Sequence, residues 1–166
     1  MSQTVPFEMY SDVHSTSVLV LGDSTAVGVG ASRPAESVPG LFTKEVGATY
    51  VENHALSRAQ VRDLSSQISK AKLASYTYIL IQIGANDVTH AHNVDDIARH
   101  LGEVMSTLPP HQHLFVLMAG NVGGASAFPW YIKPYYTRLT LQYHKEFAEV
   151  VAKNRSEERR VGKECA

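Results

Sequence analysis

Three apolar runs and one β-favouring segment stand at intervals along the chain. The apolar runs cover 17–21, 78–83 and 114–118, and the β-favouring segment covers 49–53. Short apolar runs of this kind are typical of strands that are buried on both faces of a parallel sheet. The pattern therefore predicts four parallel strands.

A segment with helical spacing of its apolar residues follows each predicted strand. In the second of these segments Val61, Leu64 and Ile68 share one helix face. The third follows Asn93, a residue type that caps helix N-termini. The four predicted helices cover 39–46, 59–71, 94–105 and 134–153. Strands and helices thus alternate four times without a repeat or a linker, which predicts a doubly wound α/β sheet.

The composition indicates a single globular domain. Of the 166 residues, 44% are hydrophobic and 19% are charged, which is enough apolar content for a sizeable core. The formal net charge of −1 argues against a nucleic-acid partner. No apolar run reaches the roughly 18 residues of a membrane span, and the N-terminus does not resemble a secretory signal, so we expect a cytoplasmic protein. The single cysteine, Cys165, cannot form an internal disulfide.

Residues able to carry chemistry follow the first predicted strand. Gly22, Asp23 and Ser24 come directly after it. In doubly wound sheets ligands bind beyond the carboxyl ends of the strands, and a serine there has backbone N–H groups nearby that suit an oxyanion. These three residue types also favour turns and helix caps, so the triplet alone is compatible with a structural role.

Polar residues also follow the second and third predicted strands. The segment 84–87 reads Gly-Ala-Asn-Asp, and the segment 53–59 contains Ser57 and Arg58. The amide of Asn86 can donate a hydrogen bond without bringing a charge, which suits a forming oxyanion. Taken alone, the segment 84–87 is equally compatible with a turn.

Together the three segments resemble the motifs of the SGNH hydrolase superfamily, also called GDSL-like lipases and esterases. The resemblance covers roughly 17–120, with the motifs in order and at suitable spacing. The residues that match these motifs are Gly22, Asp23, Ser24, Asn53, Ser57, Gly84, Asn86 and Asp87. The resemblance implies a flavodoxin-like three-layer doubly wound parallel sheet. It also implies a serine ester hydrolase that acts on a small-molecule ester and uses neither a cofactor nor a metal.

The resemblance also implies residue roles. Ser24 corresponds to the nucleophile, and the N–H groups of Ser24 and residue 58, with the side-chain amide of Asn86, correspond to the oxyanion hole. The family has a glycine where this chain has Arg58. We expect the backbone N–H of Arg58 to take the place of the glycine N–H, and its side chain to bring a cation to the mouth of the pocket.

The general base of the family is a histidine in an Asp-x-x-His motif after a fifth strand, and the chain has no such motif after its fourth predicted strand. The stretch 155–165 resembles the translation of a sequencing adapter. We therefore predict an incomplete hydrolase domain over 1–154 and a non-native tail over 155–166. With the last strand and helix missing, we expect the chain to be nearly inactive and to aggregate through an exposed sheet edge.

Eight histidines are the other candidates for a base. His54 lies in the second motif, and His90 and His92 follow the third, but none stands at the position of the family's base. We expect surface or structural roles for all eight, and we find no ligand set with metal-site spacing around His90 and His92. The aromatic loop 119–131 either walls the pocket or packs on the domain.

Two other functions fit the same residues. An O-acyltransferase on this scaffold would pass the acyl group to a hydroxyl group instead of water. A non-catalytic α/β binding module would use the loop 22–30, although this loop lacks the glycine spacing of phosphate-binding motifs. Transfer to an added alcohol would identify the first, and failure of Ser24 to react with a fluorophosphonate would identify the second.

Overall fold

Four parallel strands form the sheet in the described part of the chain. The computed structural model describes residues 4–12 and 14–164, with side chains as far as Asn154. The strands are β1 (Ser17–Gly22), β2 (Tyr50–Asn53), β3 (Tyr76–Ile83) and β4 (His111–Met118). Their order is β2-β1-β3-β4, and every pairing is parallel. This order confirms the predicted doubly wound sheet, with its switch point between β1 and β3.

Six α-helices connect and cover the strands within the described residues. They are α1 (Ser24–Val27), α2 (Val38–Glu45), α3 (Leu64–Ile68), α4 (Ala85–Thr89), α5 (Val94–Ser106) and α6 (Lys133–Glu164). Short 3₁₀ turns lie at Pro34–Glu36, Val61–Asp63 and Val122–Gly124. As predicted, Asn93 caps α5, because its side-chain oxygen accepts the Asp96 N–H at 3.1 Å.

The core lies on both faces of the sheet. On one face Leu19, Ile79 and Ile81 are fully buried against α3, α5 and α6, and Tyr143 and Phe147 of α6 fill that layer. The residues that form the core of the opposite face, under α1 and α2, are Val18, Val20, Ala26, Val27, Val51, Ala55 and Leu80. Alternate residues of the strands thus point into two cores, one on each face of the sheet. This arrangement of helices, sheet and helices confirms the predicted three layers.

The helix predicted over 59–71 is shorter in the structure. It begins as the 3₁₀ turn Val61–Asp63 and ends as α3 at Ile68. The hydroxyl groups of Ser66 and Ser69 donate to the carbonyl oxygens three residues earlier, at 2.8 and 2.9 Å. Such local bonds compete with a regular helix, which explains the early end.

Helix α6 extends further than the predicted 134–153. It begins at Lys133, and its backbone continues to Glu164. The predicted domain boundary at Asn154 therefore falls inside this helix, and the non-native origin of 155–166 stays a prediction. No helix in the described ranges is long and apolar enough to cross a bilayer.

Candidate active site

The turn after β1 requires glycine. Gly22 has φ 144°, and a Cβ there would lie 2.0 Å from the carbonyl oxygen of Gln82 on β3. The Asp23 N–H donates to that same oxygen at 3.0 Å. Only glycine permits this close approach, which carries the chain over the end of β3 and into α1.

A side chain that the motifs do not contain holds Gly22 in place. Gln67 on α3 is fully buried, and its Oε1 accepts the Gly22 N–H at 2.7 Å. Its Nε2 donates to the Gly22 carbonyl at 2.9 Å. One amide thus satisfies both backbone groups of the residue two positions before Ser24. Nothing in its sequence context separates Gln67 from the other polar residues of 59–71.

Ser24 is the first residue of α1 and is partly exposed. Asp23 is the helix cap: its Oδ1 accepts the Thr25 N–H at 2.9 Å and the Thr25 hydroxyl at 2.6 Å. The capping role considered for this triplet therefore holds for Asp23. Within the described ranges, neither the N–H nor the Oγ of Ser24 forms a hydrogen bond.

Hydrogen bonds join the segment after β2 to the segment after β1. Asn53 donates to the Ala26 carbonyl at 2.9 Å and accepts the Ala55 N–H at 3.1 Å. The Leu56 N–H donates to the Gly22 carbonyl at 3.0 Å. This placement gives Asn53 a positioning role between two strand ends.

Arg58 adopts the left-handed conformation that suits a glycine. Its φ is 68°, and it forms an exposed turn with Ser57. A non-glycine residue adopts this conformation at some energetic cost. Among the residues that the structure describes, the Arg58 N–H has no hydrogen-bond acceptor. The backbone at this position therefore has a conformation that a glycine would adopt without that cost.

A hydrogen bond joins the segment after β3 to the segment after β2. Gly84 ends β3 with φ 116°, and Asn86 follows at the start of α4. The Asn86 Nδ2 donates to the Ala59 carbonyl at 2.8 Å, one residue beyond Arg58. This bond uses one N–H of the amide and leaves the other for a ligand.

Asp87 is a fully buried carboxylate beneath this junction. Its two oxygens lie 3.2 and 3.4 Å from the Val61 backbone nitrogen, which donates to them. Burial raises the pKa of Asp87 to about 6; the Val61 N–H opposes the shift, and the carboxylates of Asp63 and Asp23 add to it. Asp87 thus ties α4 to the turn that follows Arg58.

A cavity of about 460 Å³ opens beside Asn86. It is lined by Arg58, Gln60, Arg62, Asp63, Asn86, His90 and His92. The structure thus brings residues of the second and third motifs together in one lining. Ser24 is not among the lining residues.

No histidine side chain forms a hydrogen bond with Ser24 within the described ranges. The side chain of His54 instead pairs through Nε2 with buried Glu52, at 2.8 Å. His90 contacts the Asn86 carbonyl, and His92 contacts Gln60. These contacts fit the structural roles expected for the histidines.

Glu52 is the centre of a second buried polar cluster, which sequence reasoning missed. Its oxygens accept hydrogen bonds from Tyr76 at 2.8 Å, from Tyr50 at 3.0 Å and from the Lys72 N–H at 3.1 Å. Burial acts to raise the pKa of Glu52, but the hydrogen bonds, led by that from His54, outweigh it and lower the pKa. The cluster stabilises an ionised carboxylate on β2.

One residue of the aromatic loop 119–131 packs on the domain, and another is exposed to solvent. The Phe128 ring stacks on Tyr136 of α6 with ring centroids 4.5 Å apart, whereas Trp130 is 83% exposed. No residue of this loop lines the cavity beside Asn86. The described residues also contain no group of three or more potential metal ligands.

A switch point flanked by polar strand ends defines the chain as a doubly wound α/β protein of the flavodoxin-like type. A model of the GDSL-like lipase/acylhydrolase family matches residues 20–157. The chain therefore belongs to this family, as its motifs indicated, and is a hydrolase of the kind that acts on esters. No curated protein sequence matches the chain significantly.

Solved structures share the fold. A lipolytic protein of the G-D-S-L family from Veillonella parvula has 12% identity and a TM-score of 0.64, over 85% of this chain and 75% of that one. A catalytic mutant of an acetylxylan esterase from Geobacillus stearothermophilus has 18% identity and a TM-score of 0.63, over 92% and 76%. Phospholipase A1 from Streptomyces albidoflavus has 16% identity and a TM-score of 0.61, over 83% and 76%. Identities this low establish the fold alone.

Proposed function

We propose that the protein is a serine ester hydrolase that works through an acyl-enzyme on Ser24. The Ser24 oxygen attacks the ester carbonyl and loses its proton to a base. The tetrahedral intermediate then collapses, the alcohol leaves with that proton, and an acyl–serine ester remains. Water then attacks the acyl–serine ester and gives a proton to the same base. The second tetrahedral intermediate collapses, the acid leaves, and the Ser24 oxygen takes that proton back.

One observation carries this proposal: the three strand-end segments are joined by hydrogen bonds that leave N–H groups unused. The Gly22 carbonyl binds the second segment, and Asn86 binds the same segment beyond Arg58. The N–H groups of Ser24 and Arg58, and one N–H of the Asn86 amide, remain for a ligand. Fixed, uncharged donors of this kind suit a forming oxyanion.

We further propose that none of the three histidines nearest the proposed site is the general base. The support is that each histidine nearest the proposed site has another partner: His54 has Glu52, His90 has the Asn86 carbonyl, and His92 has Gln60. On this proposal the given chain hydrolyses esters very slowly. On the same proposal, a protein extended beyond Asn154 through an Asp-x-x-His motif restores turnover.

Labelling and turnover test the role of Ser24. We expect the extended protein to react with a fluorophosphonate at Ser24, and Ser24→Ala to lose both labelling and about 10³-fold or more of its hydrolysis of 4-nitrophenyl acetate. Thr25→Ala is the matched control, because the Thr25 hydroxyl is bound to Asp23. Full activity of Ser24→Ala, or fast turnover by residues 1–154 alone, contradicts the proposal. Faster acyl transfer to an added alcohol than to water would identify an acyltransferase.

A further inference from the structure

The cavity beside Asn86 has a cationic rim. Two of its lining residues, Arg58 and Arg62, are exposed arginines. His90 and His92 line it as well, with their rings stacked 5.8 Å apart. The proposed ester hydrolysis uses the Arg58 backbone and the Asn86 amide, and it requires no arginine side chain.

Within the part of the chain whose side chains are described, no carboxylate forms an ion pair with Arg58 or Arg62. The carboxylate in the lining, Asp63, accepts the Gln60 backbone N–H through Oδ2 at 2.8 Å. Both guanidinium groups are thus available to a ligand, and their paired N–H donors match the two oxygens of a carboxylate.

A buried amide in the same lining is only partly hydrogen-bonded. Gln60 is 4% exposed, and its Nε2 lies 3.0 Å from Nε2 of His92. Its Oε1 has no partner among the described residues. Gln60 thus adds a polar, uncharged side chain to the lining of the cavity.

Two buried carboxylates lie close to this region, but neither lines the cavity. The Asp23 carboxylate accepts hydrogen bonds from Thr25, and the Asp87 carboxylate accepts the Val61 N–H. Their negative charge is thus engaged by donors inside the protein. The exposed arginines are the charged groups that a ligand meets first.

From these contacts we infer that the cavity binds an anionic group of the substrate, so that the preferred esters carry a carboxylate on their acyl or alcohol part. The inference rests on the proposed function, since Arg58 and Asn86 belong both to the cavity and to the proposed oxyanion hole. Arg62 pairs with the carboxylate and acts as a specificity residue.

Binding to the chain as it exists tests this inference without requiring turnover. Two ester pairs of similar size are titrated and followed by NMR: monoethyl succinate against ethyl butyrate, and 3-acetoxypropionate against propyl acetate. The first pair places the carboxylate on the acyl part and the second on the alcohol part. We expect the anionic ester of at least one pair to bind roughly fivefold more tightly than its neutral partner, with a preference that weakens at high salt.

Arg62→Gln should reduce this preference to about twofold or less and leave the neutral ester unaffected. Arg99→Gln is the matched control, because Arg99 is an exposed arginine on α5 outside the cavity, and it should keep the full preference. Equal binding of anionic and neutral esters by the folded wild-type protein overturns the inference. So does an equal effect of the two substitutions.

The two proposals fail in different ways. Ser24→Ala should retain the preference for the anionic ester, because the serine oxygen is not part of the cavity lining. A carboxylate preference without fluorophosphonate labelling of Ser24 in the extended protein would refute the hydrolytic mechanism and leave the anion site standing. Labelling of Ser24 in the extended protein without a preference for the anionic ester would refute the anion site and leave the hydrolytic mechanism standing.

Discussion

At the scale of single residues, the turn before Ser24 depends on Gln67 as much as on its own motif. Gly22 makes the turn sterically feasible. The buried Gln67 amide accepts the Gly22 N–H and is one of two donors to the Gly22 carbonyl, which also accepts the Leu56 N–H. A buried backbone group that loses its partner costs about 1–3 kcal/mol. Gln67 should therefore influence both the stability of the fold and the placement of Ser24.

Replacing Gln67 tests this dependence. Gln67→Leu should lower the free energy of unfolding by roughly 2 kcal/mol and slow the labelling of Ser24, because it removes both bonds to Gly22. Urea unfolding of the variant and fluorophosphonate labelling of the same variant of the extended protein measure the two effects. Unchanged stability and labelling would show that the two hydrogen bonds from Gln67 to Gly22 are not needed for the turn.

Gln67→Glu is the matched control. A protonated acid can still accept the Gly22 N–H and donate to the Gly22 carbonyl, whereas a buried carboxylate cannot donate. Burial places the folded-state pKa of this acid above its unfolded value of about 4.3. The variant should therefore be most stable below that pH and lose stability as the pH rises through the folded-state pKa.

Arg58 shows how much of the site is predictable residue by residue. The motif indicates a glycine position, and the structure keeps the corresponding left-handed backbone at φ 68° with an arginine there. The motif could not indicate that Asn86 would bind the carbonyl of the next residue, Ala59. That contact depends on how two strand ends meet in space.

At the scale of elements, the strands were predictable and the short helices were not. The apolar runs indicated β1 and β3 because both are buried on two faces. Helices α1 and α4 contain four and five residues, too few to display a helical period in the sequence. These short helices begin at the motif residues. The hydrophobic periodicity of the sequence therefore could not predict the local backbone conformation of the site.

Asp87 links α4 to the turn at Val61, and its charge should make the stability depend on pH. Its folded-state pKa of about 6 lies above its unfolded value of about 3.9. The folded protein thus binds the proton more tightly. This carboxyl favours folding most below about pH 4, and that contribution is lost as the pH rises to about 6, by roughly 2–3 kcal/mol.

Asp87→Asn should remove this pH dependence, because the amide oxygen can still accept the Val61 N–H without a charge. We expect the variant to be more stable than the wild type at pH 7.5 and the difference to vanish near pH 4. Urea unfolding across this range measures it, with Asp95→Asn on the exposed side of α5 as the control. A constant difference at all pH values would contradict the titration of Asp87.

At the scale of the whole molecule, β4 is the exposed side of the sheet. In the described part of the chain β4 pairs with β3 alone. Two of its apolar side chains, Phe115 and Leu117, are 39% and 38% exposed, although the Phe115 ring also contacts Phe42. An edge with open backbone groups and apolar side chains favours association with another sheet edge. The predicted tendency to aggregate thus has a definite location.

Substituting one of these residues tests whether this edge causes self-association. Leu117→Lys should shift the protein toward the monomer in sedimentation velocity runs at increasing concentration, because a lysine on an edge strand opposes pairing with another chain. Leu141→Lys is the matched control: Leu141 is 62% exposed but lies on α6, away from the edge, so its substitution should leave association as it is in the wild type. If the wild type stays monomeric at every concentration, or if both substitutions act alike, β4 is not the associating surface. A selective effect of Leu117→Lys would instead show that the open edge of β4 is the associating surface.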